Sequence, residues 1–334
     1  MLSFRVAHGK LQATARPLPK LRPDWALVRV RLAGICNTDV EILRGYHAFA
    51  GTPGHEFVGE IAEVCGVSVA AKKKWMGRRV CGEINVSCSA YGYKPACGFC
   101  RRGLKTHCAR RTVLGIVNHD GAFAEYLALP LENLHIVPAR VTDEQAVFVE
   151  PLAAACEILE QVNAKEFKAA VVLGDGKLAQ LIGRVLRTAI PRVVMYGKHE
   201  QKLALARRAG IATRKVRGDA SDIRRIKASF SLVVEATGSP GGLALAQQIN
   251  EPRGTLVLKS TFHGAAAVET WPIVVKELTV VGSRCGPFAK AIALLRSGEV
   301  DPRPLITRTF PLTEAPGAVA HALEPGVMKV LLRP

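Results

Sequence analysis

The 334-residue chain is short of acids and of aromatics, and it has no long apolar run. No uncharged apolar stretch reaches 18 residues, so a membrane-spanning helix is not expected. The first twenty residues, MLSFRVAHGKLQATARPLPK, mix charge throughout and lack an apolar core followed by a small-residue cleavage site; a cytoplasmic protein without export is the expectation. Asp and Glu number 28 against 46 Lys and Arg, a formal net charge of +18. Such an excess suits a nucleic-acid binder, a membrane-surface protein or an enzyme for anionic ligands. Aromatics amount to only 6%, and apart from Lys72-Lys73-Lys74 and pairs such as Arg101-Arg102 and Arg207-Arg208 the cations are scattered. No nucleic-acid or membrane partner is expected from that footprint, which leaves the enzyme. No repeat or low-complexity segment stands out.

What is present is a globular composition, 49% hydrophobic with 30 Gly and 19 Pro, at a length that suggests two domains. Trp25-Ala-Leu-Val-Arg-Val-Arg-Leu and Phe57-Val-Gly-Glu-Ile-Ala-Glu-Val alternate as strands of an antiparallel sheet with one wet face. Near residue 169 the pattern changes. Ala169 to Leu173, Arg192 to Tyr196, Thr213 to Val216, Ser231 to Glu235, Gly254 to Leu258 and Leu278 to Gly282 read as strands, with helices at Leu178 to Thr188, Glu200 to Ala209 and Ser221 to Ala228. Alternation of this kind predicts a doubly wound parallel sheet. The last stretch reads as strand, helix, strand, returning to the first domain.

The strand Val171-Val-Leu runs into Gly174-Asp-Gly176-Lys-Leu-Ala179, a G-x-G-x-x-A spacing directly before a helix. Gly174 permits the tight turn, Gly176 lets a pyrophosphate reach the backbone at the helix N-terminus, and Ala179 lets helix and sheet pack closely. Any α/β protein can carry a tight turn here; the strands on both sides favour a dinucleotide.

Cys88, Cys97, Cys100 and Cys108 form C-x8-C-x2-C-x7-C, four soft ligands for one tetrahedral ion that leave no open position. Such a site would fold a loop; redox pairing of Cys97 with Cys100 is the rival reading. A wider set, Cys36 with Thr38 and Asp39, His55 with Glu56, and Glu150, supplies the mixed ligands a zinc ion accepts when it keeps an exchangeable position.

These segments in this order, with Gly121-Ala-Phe-Ala-Glu-Tyr126, Glu235-Ala-Thr-Gly238 and Lys329-Val-Leu-Leu, resemble the zinc-dependent medium-chain dehydrogenase/reductase family over nearly the whole chain. The resemblance implies a GroES-like β-rich catalytic domain, residues 1–150 completed by 285–334, and a Rossmann domain of residues 151–284, with the site in the cleft between them. It implies that Cys36 and His55 bind a catalytic zinc with Glu56 and Glu150 as ligands or exchangeable near-ligands, and that Cys88, Cys97, Cys100 and Cys108 hold a structural one. Glu150, where classical alcohol dehydrogenases have cysteine, points to the polyol and sugar branch. Asp39 is expected to orient the His55 ring and Thr38 to pass the substrate proton outward. Where relatives end that relay in histidine this chain has Glu41, and within Ser89 to Ala96 it carries six extra residues. Tyr46, Phe49, Ile84 and the inserted Tyr91-Gly-Tyr93 are candidates to line the substrate pocket.

The implied reaction is reversible oxidation of an alcohol, polyol or sugar to a carbonyl compound with a nicotinamide cofactor. The alternatives are a zinc-free quinone or enone reductase, which has no need of Cys36, His55 and Glu150 together, and a non-catalytic nucleic-acid-binding protein that keeps the fold. Expected cofactor contacts are Gly174, Gly176, Lys177, Leu178, Ala179, Gly197, Lys198, His199, Lys202, Thr237 and Lys329. An NAD-type domain places an acid at the end of its second strand; here Gly197 stands there, followed by Lys198 and His199, with no acid to repel a 2′-phosphate. NADP(H) is therefore expected over NAD(H), and Gly197→Asp is expected to reverse the choice. Relatives commonly pair edge strands, so a homodimer or homotetramer through Leu278 to Gly282 is expected.

Overall fold

The structure is a computed structural model that describes residues 1–217, 221–222, 226, 229–261 and 267–334. It divides into one unit of Met1–Glu150 with Ala291–Pro334 and a second of Pro151–Lys290. No helix among the described residues is long and apolar enough to cross a membrane.

The first unit opens with nine strands: β1 (Leu2–Ala7), β2 (Lys10–Ala15), β3 (Trp25–Gly34), β4 (Glu56–Val64), β5 (Arg79–Gly82), β6 (Asn85–Val86), β7 (Thr112–Val113), β8 (Tyr126–Pro130) and β9 (Leu134–Ile136). β3 is the hub, antiparallel to both β4 and β8. The expected wet face is narrower than the alternation suggested. Along β3 only Arg29 and Arg31 are exposed, and both reach Glu60 of β4, at 3.5 and 3.4 Å. Register shifts between Leu27 and Val28 and between Val30 and Leu32 bend the pair, so residues on both faces are covered on either side of that polar strip.

The second unit is a six-stranded parallel sheet of β10 (Ala169–Leu173), β11 (Arg192–Gly197), β12 (Ala212–Lys215), β13 (Phe230–Glu235), β14 (Asn250–Leu258) and β15 (Thr279–Gly282), in the order β12-β11-β10-β13-β14-β15. Val171, Leu232, Val233, Val234 and Val257 are wholly buried, as strands covered on both faces require. The helices Lys177–Arg187 and Glu200–Arg208 stand where the pattern placed them. The helix expected from Ser221 to Ala228 lies largely outside the described residues. From β10 the chain moves outward to β11 and β12, then returns to the other flank of β10 through β13, so the switch point where ligands bind lies at the end of β10. β12 and β15 are the two edge strands, and three of the four residues of β15 are exposed.

The chain then returns to the first unit through β16 (Ile306–Pro311) and β17 (Lys329–Arg333), completing the order β16-β17-β3-β4-β5-β9 with β8 also on β3. Leu331 and Leu332 of β17 pair with Gly34 and Ala33, which places Lys329 beside the end of β3.

Candidate functional site

Cys36 follows β3 and stands at the start of the short helix Asn37–Leu43. Asp39 closes that first turn by accepting the Cys36 N–H at Oδ2 (2.8 Å), and its Oδ1 accepts the Gly54 N–H at 3.0 Å. One buried carboxylate thus ties the loop that carries Cys36 to the loop that carries His55. His55 Nδ1 lies 3.3 Å from Asp39 Oδ1, a close charge contact without hydrogen-bond alignment. The ligand atoms of Cys36, His55 and Glu56 lie within 4.8 Å of one another. Glu150 stands outside that group, half-buried at the first turn of the helix Val149–Gln161.

Lys329, expected among the cofactor contacts, lies beside this group. It is 2% exposed, forms an ion pair with Glu56, donates to the Ile35 carbonyl at 3.4 Å and lies 5.8 Å from the centre of the Phe148 ring. Burial pushes its ammonium down, but the neighbouring Glu56 and Cys36 outweigh burial and hold it above the usual lysine value. His55 follows the same logic. Burial disfavours the imidazolium, yet Asp39 and Cys36 raise it well above the ordinary histidine value. Thr38 Oγ1 is 3.8 Å from Cys36 Sγ and half-exposed. Glu41 is turned to the surface, where Arg44 holds it at 2.8 Å.

All four lobe cysteines come together, with sulfurs within 4.8 Å of one another. Cys88 Sγ is 3.5 Å from Cys100 Sγ and Cys97 Sγ is 3.7 Å from Cys108 Sγ. A tetrahedral ion with Zn–S bonds of about 2.3 Å sets its sulfurs about 3.8 Å apart, so these edges fit a closed thiolate site. The sulfurs are too far apart for disulfides, and the four thiols are free. Backbone N–H groups of Cys88 and Arg110 point at Cys108 Sγ (3.2 and 3.4 Å), and that of Cys97 points at Cys88 Sγ (3.4 Å). Backbone donors favour thiolate at two of the four: that of Cys97 leads in lowering the Cys88 thiol, and that of Cys100 leads in drawing the Cys97 thiol down to about 6.

The inserted segment packs against the start of β3. Tyr91 packs on Trp25 at 5.4 Å and on Tyr93 at 5.5 Å, bonds Thr112 Oγ1 through its hydroxyl at 2.7 Å, and lies under the Arg22 guanidinium. Trp25 begins β3 and Cys36 follows its end, a separation of about 30 Å along ten extended residues. The extra residues therefore buttress the cysteine lobe.

In the second unit Gly174 takes φ +116°, and the Ala236 carbonyl occupies the space a side chain would need. Gly176 caps the helix Lys177–Arg187 with open space about its Cα; Lys177 and Leu178 are half-exposed and Ala179 is buried. Thr237, beyond β13, donates its N–H and hydroxyl to Glu235 (2.7 and 2.6 Å). Lys202 is half-exposed, and its carbonyl accepts from Gln180 at 2.8 Å. At the end of β11 the structure corrects the sequence reading, because an acid is present there. Asp175, the middle residue of the glycine turn, reaches across so that its Oδ2 accepts the N–H groups of Lys198 (2.7 Å) and His199 (2.8 Å), with His199 Nδ1 3.1 Å away. A Cβ on Gly197 would lie 2.6 Å from Asp175 Cβ and Oδ2, so Gly197→Asp adds a clash as well as a charge. An acid between two glycines, facing a glycine at a strand end, was the signal to read.

Residues 22–139 match the alcohol dehydrogenase GroES-like domain family. D-altritol 5-dehydrogenase of Agrobacterium fabrum is 30% identical over 97% of each chain. Among solved structures, an alcohol dehydrogenase of Escherichia coli CFT073 in complex with NADH superimposes with a TM-score of 0.90 at 28% identity, covering 100% of this chain and 99% of that one. A candidate zinc-binding dehydrogenase of Sinorhizobium meliloti 1021 bound to NADP gives 0.88 at 26%, with the same coverage.

Proposed function

The chain belongs to the zinc-type medium-chain alcohol and polyol dehydrogenase family, and from that premise we propose that it oxidises a polyol or sugar alcohol reversibly at a zinc site built on Cys36, His55 and Glu56. The observation that carries this reading is the gathering of thiol, imidazole and carboxylate within 4.8 Å around a buried Asp39. A zinc-free reductase has no use for that set. When bound, zinc supplies Lewis-acid stabilisation of the developing alkoxide, and the nicotinamide supplies the hydride acceptor.

The chain's own residues do the rest. Asp39 fixes the Cys36 and His55 loops at one distance, so the donor atoms are in place before a cation arrives. Lys329 neutralises Glu56, which makes that carboxylate an exchangeable near-ligand and leaves Cys36 and His55 as the permanent pair. Thr38, on the half-exposed side of Cys36, takes the hydroxyl proton outward. Cys88, Cys97, Cys100 and Cys108 hold a second, structural zinc. Lys198, His199 and Lys202 favour NADP(H) over NAD(H) against the opposing carboxylate of Asp175, and the exposed β15 edge supports a homodimer or homotetramer, which light scattering tests.

A screen of polyols, sugar alcohols and simple alcohols with both cofactors, followed by nicotinamide absorbance, tests the assignment. Turnover with a polyol that is lost in Cys36→Ser supports it. Turnover confined to quinones or enones and kept in Cys36→Ser refutes it.

A further inference from the structure

Resting on the nicotinamide reading above, we infer that Asp175 is a specificity-determining residue for the cofactor, an internal carboxylate that occupies the backbone donors a 2′-phosphate needs. Rossmann domains discriminate at the end of the second strand, where an acid accepts the adenosine ribose hydroxyls. In this chain that position is Gly197, and the acid arrives from the glycine turn, 22 residues earlier. The fit between the two is tight, since any side chain on Gly197 would run into Asp175. Only glycine at the strand end allows the carboxylate to lie there.

The Lys198 and His199 N–H groups are backbone donors of the strand-end loop, and both are bonded to Asp175 Oδ2 at 2.7 and 2.8 Å. Asp175 is itself 7% exposed, so its charge is little screened by water. A 2′-phosphate arriving at this loop meets a fixed negative charge and finds those donors engaged. The 2′-hydroxyl of NAD(H) carries no charge and needs neither donor, so it meets neither obstacle. The loop therefore carries two opposed devices. Lys198, His199 and Lys202 attract the phosphate, and Asp175 repels it, so removing the Asp175 charge releases the attraction.

The adenosine halves of the two cofactors, 2′,5′-ADP and 5′-AMP, isolate this contest from metal, substrate and hydride transfer. Calorimetric titration of the full chain is predicted to show 2′,5′-ADP tightening by about tenfold or more in Asp175→Asn, the scale of one charge-assisted hydrogen bond, with 5′-AMP changed by less than about threefold. Asp175→Ser removes the charge with a smaller side chain and is expected to do the same if the amide packs poorly; unchanged 5′-AMP binding shows that the turn is intact. An unmoved ratio in both variants overturns the inference, as does selective weakening of 2′,5′-ADP, which would make Asp175 a residue that positions the donors for the phosphate. Those results leave the nicotinamide reading standing. Failure of the wild-type protein to bind either nucleotide overturns both.

Discussion

Lys329→Met removes the ammonium from a pair in which the two side chains are 3% and 1% exposed, and Glu56 is left as a carboxylate in a space that water does not reach. Breaking a buried pair from one side costs about 3 to 5 kcal/mol, because the surviving charge keeps its desolvation penalty and loses its compensation. Lys329 also gives up its contact with the Ile35 carbonyl, which places the loss in the upper part of that range. For a unit of about 200 residues this corresponds to a fall in Tm of about 6 to 20 °C. Glu56→Gln alone strands the ammonium and costs a similar amount. In the double variant both charges are gone, so adding Glu56→Gln to Lys329→Met restores much of what the first change removed. Thermal melts of the four proteins after chelation measure the coupling. Zinc is expected to narrow the Lys329→Met deficit, since a cation among Cys36, His55 and Glu56 supplies the missing positive charge. The reasoning fails if Lys329→Met melts with wild type, or if the two losses simply add.

Thr38→Val is expected to lower turnover by about 10²- to 10⁴-fold with zinc retained; near-normal turnover would make the threonine structural. Cys108→Ser removes the thiolate that the Cys88 and Arg110 N–H groups address, and should cost one zinc per chain and open residues 88–108 to hydrogen exchange while β3 and β4 stay protected. Asp120 is held below the usual carboxylate range: burial raises it, but the Thr52 N–H and the Arg16 and Arg5 guanidinium groups prevail. Its contribution is therefore complete above about pH 4, the unfolded value, and is lost as pH falls through the lower folded value. The Tm gap between wild type and Asp120→Asn should accordingly close in acid, and a gap independent of pH would contradict the assignment.

What could be read from the sequence was local. The run Ala169 to Leu173 followed by Gly174 and Gly176 specifies a strand, a turn and a helix by neighbouring residues alone, and the four lobe cysteines declare themselves by spacing and count. The contacts that were missed join distant segments. Asp175 bonds residues 23 and 24 positions away, and Lys329 meets Glu56 across 273 positions, because β17 closes the sheet on β3. A lysine near the end of a chain carries no local sign that it will be buried. Tyr91 likewise looked available to a pocket, until the bent sheet offered it the Trp25 ring.

Elemental analysis of freshly purified protein that oxidises a polyol is the most direct test of the central claim. Two zinc ions per chain are predicted, one of them lost together with turnover in Cys36→Ser. Active protein that contains no zinc would contradict the account.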